Sequence, residues 1–578
     1  MPRPTKSAAP SSATLEDATL DQHLAALETG ARLWSQFTLD QRARLLTRVH
    51  TTVGAVAAEW ADAAATAKGL APASPLRGEE WQTGPYATLV GLDAARTTLD
   101  ELAAGRSPLD GVRLDAAPGG RLRARVFPAD ASDRLLLSGF SGEVWFEPGV
   151  TAASARASAG LAQLTPGTSG GVGLVLGAGN VSSIPVLDVL YELLSANRVS
   201  LLKVNPTQDP LVPVFERAFA PLIELGFLRI VRGGGEVGAY LTQHPAFSHV
   251  HITGSATTFD AIVWGTDRDA HTQPRLAVPI TAELGGVSPI IVVPGRWSDA
   301  DLRFQAEHIA TMRLNNSGHN CIAGQVVLIS ETWPQRDAFV GALRAAYEAA
   351  PSRPVWYPRS DEKRAAAASD YPAAVSSADG TRLLVELGSE GDARALETTE
   401  YFAPVLGVVA LPGLGEAFLD TAVAHANERL SGTLGANVLI DPSTEAALGA
   451  GFERAIAELR YGGIAINAWT GVSFTVPQLS WGGFPGATLE EVGSGIGVVH
   501  NALLLDRVER SVLRGPFRPF PRSIGALASR RGVFTVLPKP PWFVTARTGT
   551  AVSAGLARFR ARGKVLPLLV TLARAFRA

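Results

Sequence analysis

The chain contains a single cysteine, Cys321, in a segment that is not typical of a core strand or helix. The segment runs NNSGHNCIAGQ from residue 315 to residue 325. A thiol kept for packing is expected among Leu, Val and Ile, whereas amides, a hydroxyl, a glycine and a histidine precede this one. A thiolate is a strong nucleophile. Cys321 is therefore a candidate catalytic nucleophile, with a small buried structural thiol as the alternative.

Three further polar residues stand at glycine-containing or loop-like segments. Asn180 ends the run GAGN directly after an apolar stretch, Glu283 opens ELGG, and Glu400 begins EYFAP. A carboxylate in a glycine-flanked loop can act as a general base when burial raises its pKa. Taken singly, these residues are more often a turn residue, a helix cap and a surface charge. Their order along the chain with the lone cysteine favours one shared site.

The N-terminal part of the chain predicts helices followed by strands. From residue 15 to about residue 70, apolar residues recur at helical spacing, with Thr38 in a candidate cap. The patterns at 122–127 and 135–146 predict strands, and the Gly, Pro, Ser and Thr content of 158–171 predicts a connection.

From Gly171 onward, strand and helix patterns alternate. Short apolar runs joined by helical segments predict a parallel sheet covered on both faces, with ligands at the carboxyl ends of its strands. The expected elements of this first lobe cover 172–176, 185–196, 199–203, 210–226 and 228–231. A second α/β lobe is predicted from strand patterns at 290–293, 325–329, 405–410 and 432–440.

Composition limits the classes of function. Lys and Arg number 52 against 54 Asp and Glu, and hydrophobic residues make up 46%, which is typical of a globular chain with a large core. No basic run suggests a nucleic-acid partner. One cysteine excludes an internal disulfide, and the N-terminus lacks an apolar secretory core, so we expect a cytoplasmic protein. Residues 1–14 are rich in Pro, Ser and Ala and predict a disordered lead.

Over roughly residues 30–500 the chain resembles the aldehyde dehydrogenase superfamily. The run ELGG with Ser288-Pro289 lies 38 residues before Cys321, in the order of the family's glutamate and cysteine boxes. The segment 316–321, NSGHNC, is similar to Asn-x-Gly-Gln-x-Cys, with His319 in place of glutamine.

Other family motifs are matched in part. The run ITGS at 252–255 is similar to Phe-Thr-Gly-Ser, with Phe259 at the place of the closing glycine. The run EYFAP is similar to Glu-x-Phe-Gly-Pro, with Ala403 for glycine. Late Gly-Gly and Ser-Gly motifs are echoed at 480–484 and 493–495.

The resemblance implies an α/β, aldehyde-dehydrogenase-like fold with a nucleotide-binding lobe, a catalytic lobe, a strand arm for oligomerisation and a C-terminal extension. Its implied boundaries are 15–283 for the N-terminal helices and nucleotide-binding lobe, with the arm within 107–170. The catalytic lobe would cover 284–480, and 481–578 would return to the nucleotide lobe and arm before the extension.

The resemblance also implies NAD(P)-dependent oxidation of a small-molecule aldehyde to a carboxylic acid, through a thiohemiacetal and an acyl thioester. Cys321 would attack the aldehyde, Asn180 and the Cys321 backbone N–H would bind the oxyanion, and Glu283 would activate water. The implied cofactor-binding residues are Lys203, Gly254, Ser255, Glu400, Phe402 and Gly235. Neither the residues nor the resemblance assigns a metal site.

Three questions stay open at this stage. Pro206 stands where many family members carry a glutamate that holds the 2′-hydroxyl, so NAD is favoured and NADP is not excluded. The run GAGNV at 177–181 is similar to the acyl-CoA reductase branch, which makes CoA an alternative acyl acceptor to water. His319 and Phe259 replace two family motif residues, so a protein that keeps the fold without catalytic activity is a further alternative.

The segment beyond about residue 505 exceeds what the family usually carries. It includes RGPFRPFP at 514–521, KPPWF at 539–543 and a final helix in which basic residues surround the apolar run 565–570. That run is too short to span a bilayer. Packing on the catalytic lobe or on a partner subunit is favoured over peripheral contact with an anionic membrane, which would suit long-chain aldehydes. A homodimer or homotetramer is implied by the resemblance alone.

Overall fold

The computed structural model describes residues 17–266, 268 and 271–577, so the lead predicted over residues 1–14 lies outside the described residues. The described strands, β1 to β17 in chain order, are Arg113–Ala117, Arg121–Phe127, Ser141–Phe146, Val172–Leu176, Val199–Lys203, Leu228–Val231, His249–Gly254, Ile280–Leu284, Ser288–Val292, Gly324–Ser330, Val375–Ser376, Leu383–Leu387, Val405–Leu411, Gly435–Leu439, Gly463–Ile466, Gly495–Ile496 and Val508–Arg514.

Helices pack on both sheets that these strands form. The described α-helices, α1 to α22, are Asp17–Trp34, Leu39–Ala67, Gly78–Trp81, Ala87–Ala103, Ala131–Leu136, Ala152–Ser158, Ile184–Ser195, Val212–Ala218, Ala220–Glu224, Gly235–Thr242, Ala256–Val263, Asp299–Leu314, Arg336–Ala349, Ser360–Asp370, Arg394–Thr398, Gly415–Arg429, Pro442–Leu448, Ala450–Glu458, Thr470–Ser473, Gly525–Ser529, Gly549–Arg562 and Val565–Ala575. Short 3₁₀ or π turns cover Pro75–Arg77, Gln82–Tyr86, Pro118–Gly120, Leu161–Leu164, Pro206–Leu211, Asn315–Gly318 and Arg522–Ile524.

The smaller sheet has the strand order β16-β8-β7-β4-β5-β6. Strands β4 to β8 are parallel, and β16 joins β8 in antiparallel orientation. Strand order reverses between β4 and β7, and ligands of such sheets bind at that switch point, outside the carboxyl ends of the strands. The predicted doubly covered sheet of the first lobe is confirmed, since every residue of β4 and β5 is buried.

The larger sheet has the order β1-β2-β3-β17-β15-β14-β9-β10-β13-β12-β11. Its central strands are parallel, whereas β17 pairs with β3 in antiparallel orientation. The arm strands β1, β2 and β3 therefore continue the large sheet of their own chain. The α/β fold class with two sheets, predicted from the sequence, is confirmed.

Two predicted elements differ in the structure. Over 135–146, the strand is limited to β3, because Asp130 accepts a hydrogen bond from the Asp133 N–H at 2.8 Å and caps the helix α5. The helix predicted over 210–226 is divided into a 3₁₀ turn, α8 and α9. Pro221 lacks an N–H group, so it is accommodated in the first turn of the new helix α9.

The segment after β17 folds back onto the rest of the chain. The single final helix predicted there is two helices, because Gly563 ends α21 with φ +65°. The α21 residues Ala554 and Ala557 pack with Trp81 and Tyr86. Helix α22 lies on α21, where a Cβ at Gly555 would collide with Thr571. Within the described residues, no helix combines the length and the apolar character needed to cross a bilayer.

Candidate active site

Cys321 follows a tight reversal of the chain between α12 and β10. The three residues Asn316, Ser317 and Gly318 all have left-handed φ angles, at 53°, 57° and 73°. Such angles are costly for residues other than glycine and persist where the surrounding structure enforces them, often at functional sites. The reversal leaves the thiol of Cys321 half-buried.

Cys321 and Asn180 line the same cavity. Its volume is about 1220 Å³, its open mouth included, and apolar side chains form most of its walls. Asn180 lies in the loop between β4 and α7, at the switch point of the smaller sheet. Its Nδ2 donates to the His319 carbonyl oxygen at 2.8 Å, which uses one of its two N–H bonds. The loop that carries Cys321 and the loop that follows β4 are thus in direct contact.

Lys68, at the end of α2, connects these loops. Its buried Nζ donates to Glu80 Oε1 at 2.8 Å, to the Asn180 carbonyl at 2.9 Å and to Asn316 Oδ1 at 3.1 Å. Burial lowers the pKa of Lys68, and the nearby carboxylate of Glu80 opposes that shift. The sequence interpretation missed Lys68. A signal existed, because lysine is rare in this chain, with six residues in all, and Lys68 is one of them.

Glu283 lies on β8, not in the loop that the sequence suggested, and the glycines after it end the strand. Its side chain is buried, and neither carboxylate oxygen has a hydrogen-bond partner among the described residues. Burial raises the pKa of Glu283 well above its ordinary value, and the charge of Asp188 adds to the shift. A carboxyl group with these properties can take up a proton near neutral pH.

Glu400 is held close to the loop that follows Glu283. Its carboxylate packs against Gly285, where any Cβ would overlap it. Burial raises the pKa of Glu400 to about 7, while Lys363 and Arg313 act in the opposite direction. The carboxylate of Glu400 thus lies against the glycine loop that directly follows β8, the strand of Glu283.

The environment of Cys321 opposes ionisation of the free thiol. Burial raises the pKa of Cys321, and the charges of Glu400 and Glu283 raise it further. Backbone N–H groups of Cys321 and Ile322 act in the opposite direction. Both carboxylates thus act on the thiol, although neither lines the cavity.

His319 has a structural role. It is fully buried, its Nε2 is 3.0 Å from Ser360 Oγ, and its ring lies 5.8 Å from that of Phe402. Burial, aided by the positive charges of Arg353 and Lys68, lowers the pKa of His319. The neutral ring packs, while the backbone carbonyl of the same residue accepts from Asn180.

Four of the predicted cofactor residues lie at the carboxyl edge of the smaller sheet, whereas Glu400 and Phe402 lie between α15 and β13. Lys203 ends β5, and within the described residues its Nζ has no hydrogen-bond partner. Gly254 ends β7, and Ser255 caps α11 by accepting from the Thr258 N–H at 3.2 Å. Gly235 begins α10 after the outer strand β6, and the space beside its Cα is open.

An unpredicted carboxylate lies beside Lys203. Asp209 is in the 3₁₀ turn that begins at Pro206, and its Oδ1 is buried without a hydrogen-bond partner in the described part of the chain. Burial lowers the pKa of Lys203, and the charge of Asp209 opposes that shift. The spacing after Lys203 did not identify this residue, because the turn brings it back toward the strand end.

The fold and the site define an α/β protein with two sheets. A cavity lined by Cys321 lies at the carboxyl edge of the smaller parallel sheet, where such sheets bind nucleotides. A model of the aldehyde dehydrogenase family matches residues 191–361, which include Lys203, Glu283 and Cys321. Over residues 191–361 the chain is therefore similar to the aldehyde dehydrogenase family.

Individual relatives are distant. The 4,4′-diaponeurosporen-aldehyde dehydrogenase of Staphylococcus aureus is 24% identical over 314 residues, which are 52% of this chain and 62% of that protein. A protein of Staphylococcus haemolyticus is 30% identical over 138 residues, 24% of this chain and 26% of its own length. The chain thus covers less than two thirds of the curated relatives that it matches.

Solved structures share the fold. The NADP complex of an NADP-dependent glyceraldehyde-3-phosphate dehydrogenase from Bacillus halodurans has a TM-score of 0.57 at 18% identity, covering 86% of this chain and 92% of that chain. A Pseudomonas syringae aldehyde dehydrogenase mutant with NAD+ and octanal has a TM-score of 0.56 at 17% identity, covering 87% and 90%.

Proposed function

We propose that this protein oxidises an aldehyde to a carboxylic acid with a nicotinamide dinucleotide as the oxidant. The observation that carries the proposal is the shared cavity of Cys321 and Asn180, placed at the switch point of the smaller sheet. The buried carboxylate of Glu283, which has no hydrogen-bond partner among the described residues, and the carboxylate of Glu400, whose Oε1 has none, both act on the thiol and add to it.

The residues at the sheet edge fit a dinucleotide. Lys203 offers an unpartnered ammonium group, and the exposed Gly254 and Ser255 precede α11, whose N-terminal N–H groups favour a phosphate. Glu400 offers a buried carboxylate oxygen without a partner, which suits a ribose hydroxyl. The bound nicotinamide would accept a hydride from the substrate.

The chain's own groups account for the other steps. Cys321 Sγ adds to the aldehyde carbon as a thiolate, and the thiol proton is transferred to a base. The free N–H of Asn180 and the backbone N–H of Cys321 stabilise the oxyanion of the thiohemiacetal, at about 2.7–4 kcal/mol per donor. Loss of hydride leaves an acyl thioester on Cys321.

Hydrolysis of the thioester completes the cycle. Glu283 takes a proton from water, the hydroxide adds to the acyl carbon, and the carbon–sulfur bond breaks to release the acid and the thiolate. The net change consumes aldehyde, oxidised cofactor and water, and it yields acid, reduced cofactor and a proton. The raised pKa of Glu283 matches this task, because a base with a pKa nearer neutrality accepts the proton more readily.

CoA is the second candidate acyl acceptor. The run GAGNV around Asn180 favours it, since this run is similar to the acyl-CoA reductase branch. The buried Glu283 favours water, because a thiol acceptor does not require a base dedicated to activating water. We therefore place hydrolysis first.

The substitution Glu283→Gln tests the hydrolytic step. We expect a burst of about one equivalent of reduced cofactor per active site, followed by a steady state lowered about 100-fold or more, within the range of general base catalysis. Stopped-flow absorbance of the reduced cofactor measures both phases, and Glu236→Gln, an exposed glutamate of the same lobe, serves as the control.

Three results would contradict the proposal. A strict requirement for CoA during steady-state oxidation by the unaltered chain would replace water as the acceptor. Cofactor-linked turnover that persists after alkylation of Cys321 would exclude the thiol mechanism and favour another nucleophile. The absence of turnover over a panel of short, aromatic and long-chain aldehydes with NAD and NADP, each with and without CoA, would favour a silent scaffold.

A further inference from the structure

The C-terminal extension has an unusual charge. Residues 515–578 contain twelve Arg and Lys residues and no Asp or Glu, whereas the whole chain has 52 basic and 54 acidic residues. Four of the twelve pair with carboxylates elsewhere in the chain, namely Arg518 and Arg522 with Asp301, Lys539 with Glu307, and Arg560 with Asp133.

The basic residues that flank α22 are available for a partner. Arg562, Lys564, Arg574 and Arg577 are exposed. In the part of the chain that the structure describes, none of these four has an ion-pair partner, whereas other surface arginines such as Arg454 do. Positive charge is thus concentrated at both ends of one helix.

The outer face of α22 is apolar. Val565, Leu566, Leu569 and Val570 recur at helical spacing on one side, with side chains 60%, 79%, 56% and 53% exposed. Isolated exposed apolar residues are ordinary, but a contiguous set of this kind marks an interaction surface.

The inner face of the same helix is apolar as well. Leu568 is buried, and Leu572 and Ala575 line the cavity that holds Cys321. A helix that is hydrophobic on all sides is typical of an apolar environment around it. The inner face of α22 contacts the apolar cavity, whereas the outer face is exposed to solvent.

The apolar surface extends to a neighbouring segment. The Phe576 ring, at the end of α22, lies 5.9 Å from that of Phe520. Just beyond Phe520, Ile524 and Leu527 are 48% and 62% exposed, and two exposed arginines follow at positions 530 and 531. Apolar side chains framed by basic ones therefore recur across this surface.

We infer that this surface, formed by α22 and residues 524–531, docks on an anionic lipid membrane. Apolar side chains enter the headgroup region of a bilayer while surrounding Arg and Lys side chains bind lipid phosphates. Lipid suits the surface better than a protein partner does, because residues 515–578 contain no Asp or Glu and an anionic bilayer presents one sign of charge.

Docking places α22 between the bilayer and the catalytic cavity. Resting on the proposed function, this geometry assigns the substrate class as aldehydes with long apolar chains that partition into the membrane. Such a substrate would reach Cys321 along the cavity walls formed by α22 and by residues 537–542, which include Leu537, Trp542 and three prolines.

The experiment compares vesicle binding by the full chain and by matched variants. Sedimentation with vesicles of phosphatidylcholine containing phosphatidylglycerol should retain the unaltered chain, whereas pure phosphatidylcholine vesicles should not. We expect Leu566→Asn with Leu569→Asn to weaken binding at least tenfold, and Lys564→Gln with Arg574→Gln to weaken it and flatten its salt dependence. Val375→Asn, which replaces another exposed apolar residue, is the control.

The outcomes separate docking from catalysis. Turnover of a short water-soluble aldehyde should be unchanged in the Leu566 and Leu569 variant, while turnover of a long-chain aldehyde carried in anionic vesicles should fall. Equal binding by all variants, or equal binding to neutral vesicles, would overturn the inference. A change of oligomeric state in the variant, without vesicle binding by the unaltered chain, would assign the surface to a subunit contact. Vesicle binding without any aldehyde turnover would refute the proposed function alone.

Discussion

At the scale of single residues, charge placement decides what the site can do. Cys321 lies under the influence of two buried carboxylates, and both raise its pKa in the free protein. The thiol is therefore kept from ionisation, first by its burial and further by these charges, until a partner changes the surrounding charge. A positively charged nicotinamide beside the carboxylates would do so, in keeping with the proposed function.

Glu400 provides a test of this electrostatic arrangement. The substitution Glu400→Gln removes a negative charge near the thiol, so the pKa of Cys321 should fall. Alkylation by iodoacetamide at pH 8 should become faster, and the midpoint of its rate against pH should move to lower pH. The exposed Glu390→Gln variant should react as the unaltered chain does. An unchanged midpoint for Glu400→Gln would show that its charge does not reach the thiol.

Asp209 provides a test of cofactor preference. Its buried Oδ1, which has no hydrogen-bond partner among the described residues, can accept a hydrogen bond from a ribose hydroxyl. The negative charge of Asp209, beside Lys203, would repel a 2′-phosphate. We expect NAD to be preferred and Asp209→Asn to reduce the ratio of kcat/KM for NAD over NADP about tenfold, which corresponds to about 1.4 kcal/mol. Steady-state rates with both cofactors measure the ratio. A higher kcat/KM with NADP in the unaltered chain would contradict the assignment.

At the scale of elements, hydrogen bonds from one buried lysine join two loops from separate parts of the fold. The end of α2 supplies Lys68, which bonds to the loop after β4 and to the reversal before Cys321. The rigid elements therefore set the positions of Cys321 and Asn180, to which the proposed function assigns the nucleophile and the oxyanion donor. Short loops held in this way are more precise than free ones.

The buried pair of Lys68 and Glu80 makes this fastening testable. Lys68→Met should destabilise the chain by about 3–5 kcal/mol, because it leaves the carboxylate of Glu80 buried without its partner. The double change Lys68→Met with Glu80→Gln should recover part of that loss. Urea denaturation followed by tryptophan fluorescence measures both, with exposed Lys564→Met as the control. Equal loss in the single and double variants would contradict the explanation.

At the scale of the whole molecule, the C-terminal extension belongs to the folded body. It supplies residues to the large apolar core, including Phe517 and Val544, and one wall of the cavity that Cys321 lines. The arm strands likewise join the chain's own large sheet through β17. The homo-oligomer implied by the sequence stays a prediction, as do the lobe boundaries at 283 and 480.

Phe543 tests whether the extension contributes to stability. Its ring is 3% exposed and lies 5.2 Å from Phe304 and 5.1 Å from His308 of α12. Phe543→Ala should cost about 3–5 kcal/mol, the usual range for a buried phenylalanine. Leu566→Ala, in the same extension but 79% exposed, should change stability by less than about 0.5 kcal/mol. Equal and small effects would show that the extension folds separately from the core.

The sequence alone determined the elements whose cause is local. The apolar runs at 172–176 and 199–203 predicted buried parallel strands, and Thr38 predicted the start of α2, where it forms a reciprocal cap with Gln41. Motif order was enough to predict the family, because Glu283 and Cys321 keep their spacing along the chain.

Tertiary structure decided what depends on distant contacts. Over 135–146 a local cap at Asp130 competed with an apolar pattern, and the pattern alone could not show which would prevail. Lys68 is separated from its partner Asn316 by 248 residues of sequence. Turns of the chain bring Asp209 to Lys203 and the extension to the cavity. These contacts cannot be predicted from sequence spacing, because they depend on how distant segments pack together in the folded chain. The residues that perform the proposed chemistry were therefore visible in the sequence, whereas those that position and surround them were not.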